Sequence, residues 1–173
     1  MSTLKVDTIQ HSGGTSGLTI DSSGRLTRST IPSWRVAISG ADITHTTANA
    51  NVGVAFNNSS TENCFLAGGC TMASGVITVP VAGLYQMASS VRFNNVTGTD
   101  HIYLKIIKNG EETNASESYA IVDDHSPLYH SITVTDLYQC NAGDELAVAG
   151  FVSTDTSWAY DGNTCHFNGH MVG

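Results

Sequence analysis

Ile102-Tyr103-Leu104-Lys105-Ile106-Ile107-Lys108-Asn109-Gly110-Glu111 decides the fold class. Ile102, Leu104 and Ile106 alternate with Tyr103, Lys105 and Ile107, which is the period of a strand with one buried face. Asn109-Gly110 then supplies the residues of a tight hairpin turn. Outward from this point the same grammar repeats. Ile132 and Val134 alternate with threonines, and Ala142-Gly143-Asp144 and Asp161-Gly162 punctuate the runs. The spacing predicts strands over 34–38, 52–56, 76–79, 84–93, 102–108, 118–122, 130–137, 145–152 and 165–172. No segment carries a sustained 3.6-residue apolar period. So many short strands divided by Gly and Asn turns indicate an all-β sandwich or jelly roll.

Composition changes near residue 33. Before it, Leu4 and Val6, then Leu18 and Ile20, alternate in short pieces around His11-Ser12-Gly13-Gly14-Thr15-Ser16-Gly17, and Asp21-Ser22-Ser23-Gly24 reads as a turn. Strands this short cannot bury their own apolar face and must lean on a partner. Ile31-Pro32-Ser33 reads as a linker. The expected organisation is therefore an attachment segment or stem over 1–33 and a head domain over 34–173.

Only 13% of the residues are charged, and Asn, Ser, Thr and Gly fill the polar positions. Neutral polar surface packs against copies of itself without desolvating charge, a hint of oligomerisation. Seven Lys+Arg stand against fifteen Asp+Glu, a formal net charge of −8. Such a chain is poorly suited to nucleic acid or to an anionic membrane surface. No apolar stretch approaches the roughly 20 residues of a membrane span, and the first ten residues lack the apolar core of a signal peptide. Synthesis in a cytoplasm is expected. The four cysteines, Cys64, Cys70, Cys140 and Cys165, match no zinc spacing. They read as free thiols, with Cys140–Cys165 the disulfide to test first.

Four stretches in order resemble the globular head of complement first-component subunits, within the tumour-necrosis-factor-like jelly rolls. They are Val54-Ala55-Phe56-Asn57-Asn58; Gly75-Val76-Ile77-Thr78-Val79-Pro80-Val81-Ala82-Gly83-Leu84-Tyr85; Leu104-Lys105-Ile106-Ile107-Lys108-Asn109-Gly110-Glu111; and Leu137-Tyr138-Gln139-Cys140-Asn141-Ala142-Gly143-Asp144-Glu145-Leu146. Phe167-Asn168-Gly169-His170-Met171-Val172 resembles the closing strand. Met87 departs from the aromatic usual in that family, and the collagen-like stalk of the animal proteins is absent. The resemblance implies a homotrimer of ten-strand-type jelly rolls, one sheet of each subunit packed around the threefold axis, with ligands bound on outer loops or at subunit boundaries. The N-terminal Leu4–Gln10 and Leu18–Thr27 segments look like those common in tail-fibre and other structural proteins of aquatic, cyanophage-like bacteriophages.

Fold does not fix function. The leading expectation is a trimeric phage virion protein: a short N-terminal β stem that attaches to another virion protein, and a head, in a tail fibre or adhesin, that recognises a host surface glycan or protein. The alternative is a capsid decoration (cement) protein or a head or collar fibre. An enzyme is not expected. Glycan depolymerase tail spikes are long repeat structures with carboxylate pairs in a groove, and neither a Ser-His-Asp constellation nor a phosphate loop is recognisable. Gly13-Gly14 and Gly68-Gly69 read as plain loops.

Ligand contact is expected on Ser153–Asn163, at Trp158, Tyr160, Asp161 and Asn163. No continuous apolar run buries those rings, and aromatic faces stack on sugars; an aromatic pinned at a subunit boundary is the other reading. Asn94 and Asn95, in a loop over 94–100, form a second candidate. No cofactor is required, but two ion sites stay open. His166 and His170 share one strand face, and one His per chain on a threefold axis would supply three metal ligands. Asp123 and Asp124, in a loop before Ser126-Pro127, would help hold Ca²⁺, which some relatives bind near the trimer apex. Polar strand faces and a solvated acidic turn are the plainer readings of the two.

Overall fold

The computed structural model describes residues 8–10, 16–27, 31–61 and 63–172, and the side chains of all of these but 10, 16–18, 26–27, 98–99, 112–115 and 122–128. The alternation at Leu4 and Val6, and Gly13-Gly14, lie outside the described residues. The chain forms two compact units, Met1–Ile31 and Pro32–Gly173.

In the first unit, β1 (Thr8–Gln10), β2 (Ser16–Ile20) and β3 (Leu26–Thr27) make an antiparallel sheet in that order. Asp21 closes the β2–β3 turn. Its Oδ1 accepts from Ser23 N (2.8 Å) and Arg25 N (3.0 Å), and its Oδ2 from Arg25 Nε (2.7 Å). Gly24 takes the positive φ of 75° that the turn requires.

The second unit is all-β, with curled antiparallel sheet consistent with a β-sandwich. Its strands are β4 (Ser33–Ala37), β5 (Ile43–His45), β6 (Ala50–Gly53), β7 (Phe65–Ala67), β8 (Thr71–Ala73), β9 (Val76–Thr78), β10 (Gly83–Lys108), β11 (Glu111–Cys140), β12 (Glu145–Val152), β13 (Trp158–Tyr160) and β14 (His166–Met171). One run of pairing is β7-β4-β14-β10-β11, through residues 85–90 of β10 against β14 and 83–93 against 130–140 of β11. A second is β11-β10-β12-β9-β8, through residues 102–108 of β10 against β12, with β6 also on β12.

The two longest strands correct the sequence reading, which divided each in two. The 94–100 segment is not a loop: β10 runs through it on a bulge. Asn95 has φ 59°, and the register with β11 shifts between Phe93 and Val96 and again before Gly98. A one-residue slip exchanges the faces of a strand. Before the bulge the buried residues are Tyr85, Met87, Ser89, Val91 and Phe93; after it they are Val96, Asp100, Ile102, Leu104 and Ile106, with Ile107 buried on the other face. One strand thereby serves one core from both of its faces. Asp123 and Asp124 likewise lie in β11, opposite Thr99 and Gly98, not in a loop. Irregularity persists there, since the partner of Val96 is Leu128 and that of Gly98 is Asp124. At the hairpin tip Asn109 (φ 54°) and Gly110 (φ 75°) both adopt the left-handed conformation of a primed turn.

The core joins Trp34, Val36, Phe56, Ile77, Tyr85, Met87, Phe93, Ile102, Leu104, Ile106, Leu146, Val148 and Phe167 in a single cluster. Trp34 meets Phe167 edge-on at 5.5 Å between ring centroids. Gly169 admits it: a Cβ there would collide with the Trp34 ring. Met87, where the resemblance leads one to look for an aromatic, is 1% exposed and fills the same core.

Candidate functional site

The Ser153–Asn163 segment does not present its aromatic rings to solvent. Trp158 and Tyr160 are 1% and 0% exposed. They sit in β13, which β5 covers through the pairs Trp158↔His45 and Tyr160↔Ile43, while Tyr160 also pairs with Phe93 of β10. Trp158 Nε1 donates to Thr47 O (2.9 Å). The Tyr160 hydroxyl donates to Val52 O (2.6 Å) and accepts from Gly150 N (3.0 Å), and burial pushes its acidity far out of range. The rings pack on each other at 5.0 Å and on Phe93 at 5.8 and 5.5 Å. The expectation that nothing buries them fails because β5, Ile43-Thr44-His45, is too short to announce itself as a strand.

Asp161 and Asn94 are gathered with Asn163, but into a lock. Asp161 Oδ2 pairs with the Arg92 guanidinium, and its Oδ1 accepts from Asn163 N (3.0 Å) and Thr164 Oγ1 (2.8 Å). Asn94 Nδ2 donates to Asp42 Oδ2 (2.7 Å), whose Oδ1 accepts from Gly162 N (2.9 Å). Burial raises the Asp161 carboxyl, yet the hydrogen bonds from Arg92, Asn163, Thr164 and Asn94 outweigh it and hold the group well below the usual carboxylate range. Arg92 also lies over the exposed Tyr129 ring, 4.3 Å from its centroid. Asn94 (4%) and Asp161 (6%) are thus buried structural groups, whereas Asn95 and Asn163 stay exposed. Arg92 and Asp42, the partners that make the lock, carried no sequence signal beyond being charged.

His166 and His170 both occupy the outward face of β14, opposite Ser90 and Gln86 of β10 and opposite Ala37 and Ser33 of β4. Burial lowers the His166 imidazole, and the neighbouring Arg35 charge lowers it further, an environment that works against a bound cation. Among the described residues no group of three or more His, Cys, Asp or Glu is placed to hold a metal ion. The Asp123 and Asp124 side chains lie outside the described residues. All four cysteines are buried and free, Cys140 and Cys165 included. Burial pushes the Cys70 and Cys165 thiols up to about 11.

The broadest candidate is the outward face of the β7-β4-β14-β10-β11 run. Across its pairings lie the rows Phe65, Arg35, Asn168, Ala88, Thr135 and Ala67, Ser33, His170, Gln86, Leu137. Apart from Arg35 these are small or neutral side chains, with Phe65 (47%) and Leu137 (51%) exposed. Two shallow hollows open on it. One of 410 Å³ lies among Ser33, Arg35, Phe65, Asn168 and His170; the other, 440 Å³, lies among Gln86, Thr135, Asp136 and Leu137. The Leu137 signal was in the sequence: with Ile132 and Val134 facing in, the same strand must face Leu137 out.

Compared with known proteins, the chain matches no family model, and a search of curated proteins finds no significant match.

Proposed function

We propose that this chain is a structural protein of a phage virion, a trimeric fibre or adhesion protein. On this reading Pro32–Gly173 is a tumour-necrosis-factor-like jelly-roll head that assembles as a homotrimer, and the N-terminal unit is its stem and attachment point to another virion protein. The observation that carries the reading is the outward face just described, small-residued, sparsely charged and carrying exposed Phe65 and Leu137. Such a face is cheap to desolvate where its side chains are small and neutral, and its two exposed apolar residues are better covered than left in water. The strand order supports it: one run pairs β4-β14-β10-β11, another pairs β9-β12-β10-β11, and β10 and β11 run through both.

Light scattering on purified protein tests the assembly. The expected mass is three times the 18.2 kDa chain, and a monomer at micromolar concentration overturns the reading. Three linked heads would multiply weak contacts to a host surface. Binding to host cells tests that role, with exposed Asn95 on the β10 bulge and exposed Asn163 as the contacts to vary.

A second reading is favoured by one observation. The aromatic pair expected to stack on glycan is consumed by the core. A decoration or collar protein needs the same trimer and stem but no receptor site. Antibody labelling of intact particles separates capsid from tail.

A further inference from the structure

Asp100 lies where β10 leaves its bulge, and 0% of it is exposed. Its Oδ1 is saturated, accepting from Ser153 Oγ (2.6 Å), Thr154 N (2.7 Å) and Thr154 Oγ1 (2.7 Å). Its Oδ2 is equally buried and receives no hydrogen bond. The carboxyl within hydrogen-bonding reach of Asp100 is that of Asp155. Asp155 is positioned in turn by Thr97, whose backbone N–H donates to its Oδ2 and whose hydroxyl lies 3.2 Å from both carboxylate oxygens.

One ionised carboxylate cannot donate to another. Two carboxyl groups lie together, and one buried oxygen of Asp100 has no donor. A bare buried acceptor costs on the order of 1–3 kcal/mol, and more when charged, and like charges at this range add repulsion. Among the described residues no lysine or arginine forms an ion pair with Asp100. Arg92, Lys105 and Lys108 are engaged with Asp161, Glu117 and Asp144. Either a shared proton or a cation must complete the arrangement. The surroundings favour the cation. Every side-chain donor within the cluster is a hard oxygen: Asp100 Oδ2, the Asp155 carboxylate, and the Thr97, Ser153 and Thr154 hydroxyls. Asp155 is half-buried, not sealed, so water can complete a coordination shell from its side.

We propose that Asp100 and Asp155 form a binding site for a hard divalent cation of the calcium class, tying β10 to the segment that follows β12. The site is independent of the fibre reading and uses other carboxylates than Asp123 and Asp124. The test is calorimetric titration of the EDTA-stripped full chain with CaCl₂ at constant ionic strength, with melting temperature recorded in parallel. One ion per chain is expected, with a dissociation constant of about 10⁻⁴–10⁻³ M for so few carboxylates, and a rise in Tm of about 3–6 °C at ten times that concentration. Asp155→Asn should weaken binding at least tenfold and abolish the rise. Thr97→Val, which keeps both charges and loosens only Asp155, should weaken it a few-fold. The pair Asp123→Asn and Asp124→Asn should leave it unchanged. The proposal is overturned if the wild type shows no calcium response, if Asp155→Asn binds as wild type does, or if the Asp123 and Asp124 variants remove the binding. No calcium response, with stability falling as pH rises from 4 to 7, would identify a shared proton instead.

Discussion

The two outward faces of the Pro32–Gly173 unit handle water differently. On residues 101–107 of β10, 116–121 of β11 and on β12, most side chains satisfy one another in place, although Ile121 stands 57% exposed. Lys105 pairs with Glu117 at 3.0 Å, His101 Nδ1 meets the Tyr119 hydroxyl at 2.7 Å, and Tyr103 packs on Phe151 at 5.1 Å. The face formed by β7, β4, β14 and the other halves of β10 and β11 has little of this. Ser90 and Thr133 share a hydrogen bond at 3.2 Å, but Phe65 stands exposed beside Arg35 and Leu137 stands exposed opposite Gln86. A finished face and an open one on the same unit teach where a second copy would sit, because the open face loses least by leaving water.

That contrast is attacked most directly at Leu137. Leu137→Glu places a charge on the β11 side of the open face and should dissociate the assembly outright in light scattering, with the fold kept by circular dichroism. Tyr119→Ser on the finished face should leave the mass unchanged. If Leu137→Glu stays assembled and Tyr119→Ser does not, the two faces have been read the wrong way round.

Next in size is the interior. Trp158→Ala should cost about 3–5 kcal/mol in denaturant unfolding, and the loss should appear in the isolated protein with no ligand present. An unaltered stability would return Trp158 to the surface and to glycan binding. Asp161→Asn should cost about 1.5–3 kcal/mol at pH 7 and should also flatten the acid limb of stability. The folded-state pKa of Asp161 is depressed, so its contribution is complete above the unfolded value of about 3.9 and is lost as pH falls from there toward the folded value. A variant whose acid limb matches the wild type would show that Arg92 is not its partner in solution. The smallest effect is on the finished face. Glu117→Gln should change stability by no more than about 1 kcal/mol and less in high salt, since Glu117 is 39% exposed.

Much of this was legible in the sequence. The all-β class followed from two-residue alternation, and the Asn109-Gly110 hairpin from the only residues that enter the left-handed region cheaply. The buried Tyr85, Val91 and Phe93 followed from parity along one strand. The failures were local too. Asn94-Asn95 looked like a loop because loops are rich in Asn, yet a bulge uses the same conformational licence within a strand. Trp158 and Tyr160 looked exposed because the strand that covers them lies more than a hundred residues away and has three residues.

The sequence by itself determined what each backbone segment prefers: strand where side chains alternate, turn where φ must be positive. Those are properties of a residue and its near neighbours. Tertiary structure alone decided which side of each polar group is satisfied and by whom. Asp161 found Arg92 across 69 residues of chain, and Asp100 and Asp155 were brought carboxyl to carboxyl. The energy of a buried charge depends on what surrounds it in space, and no spacing along a chain encodes that.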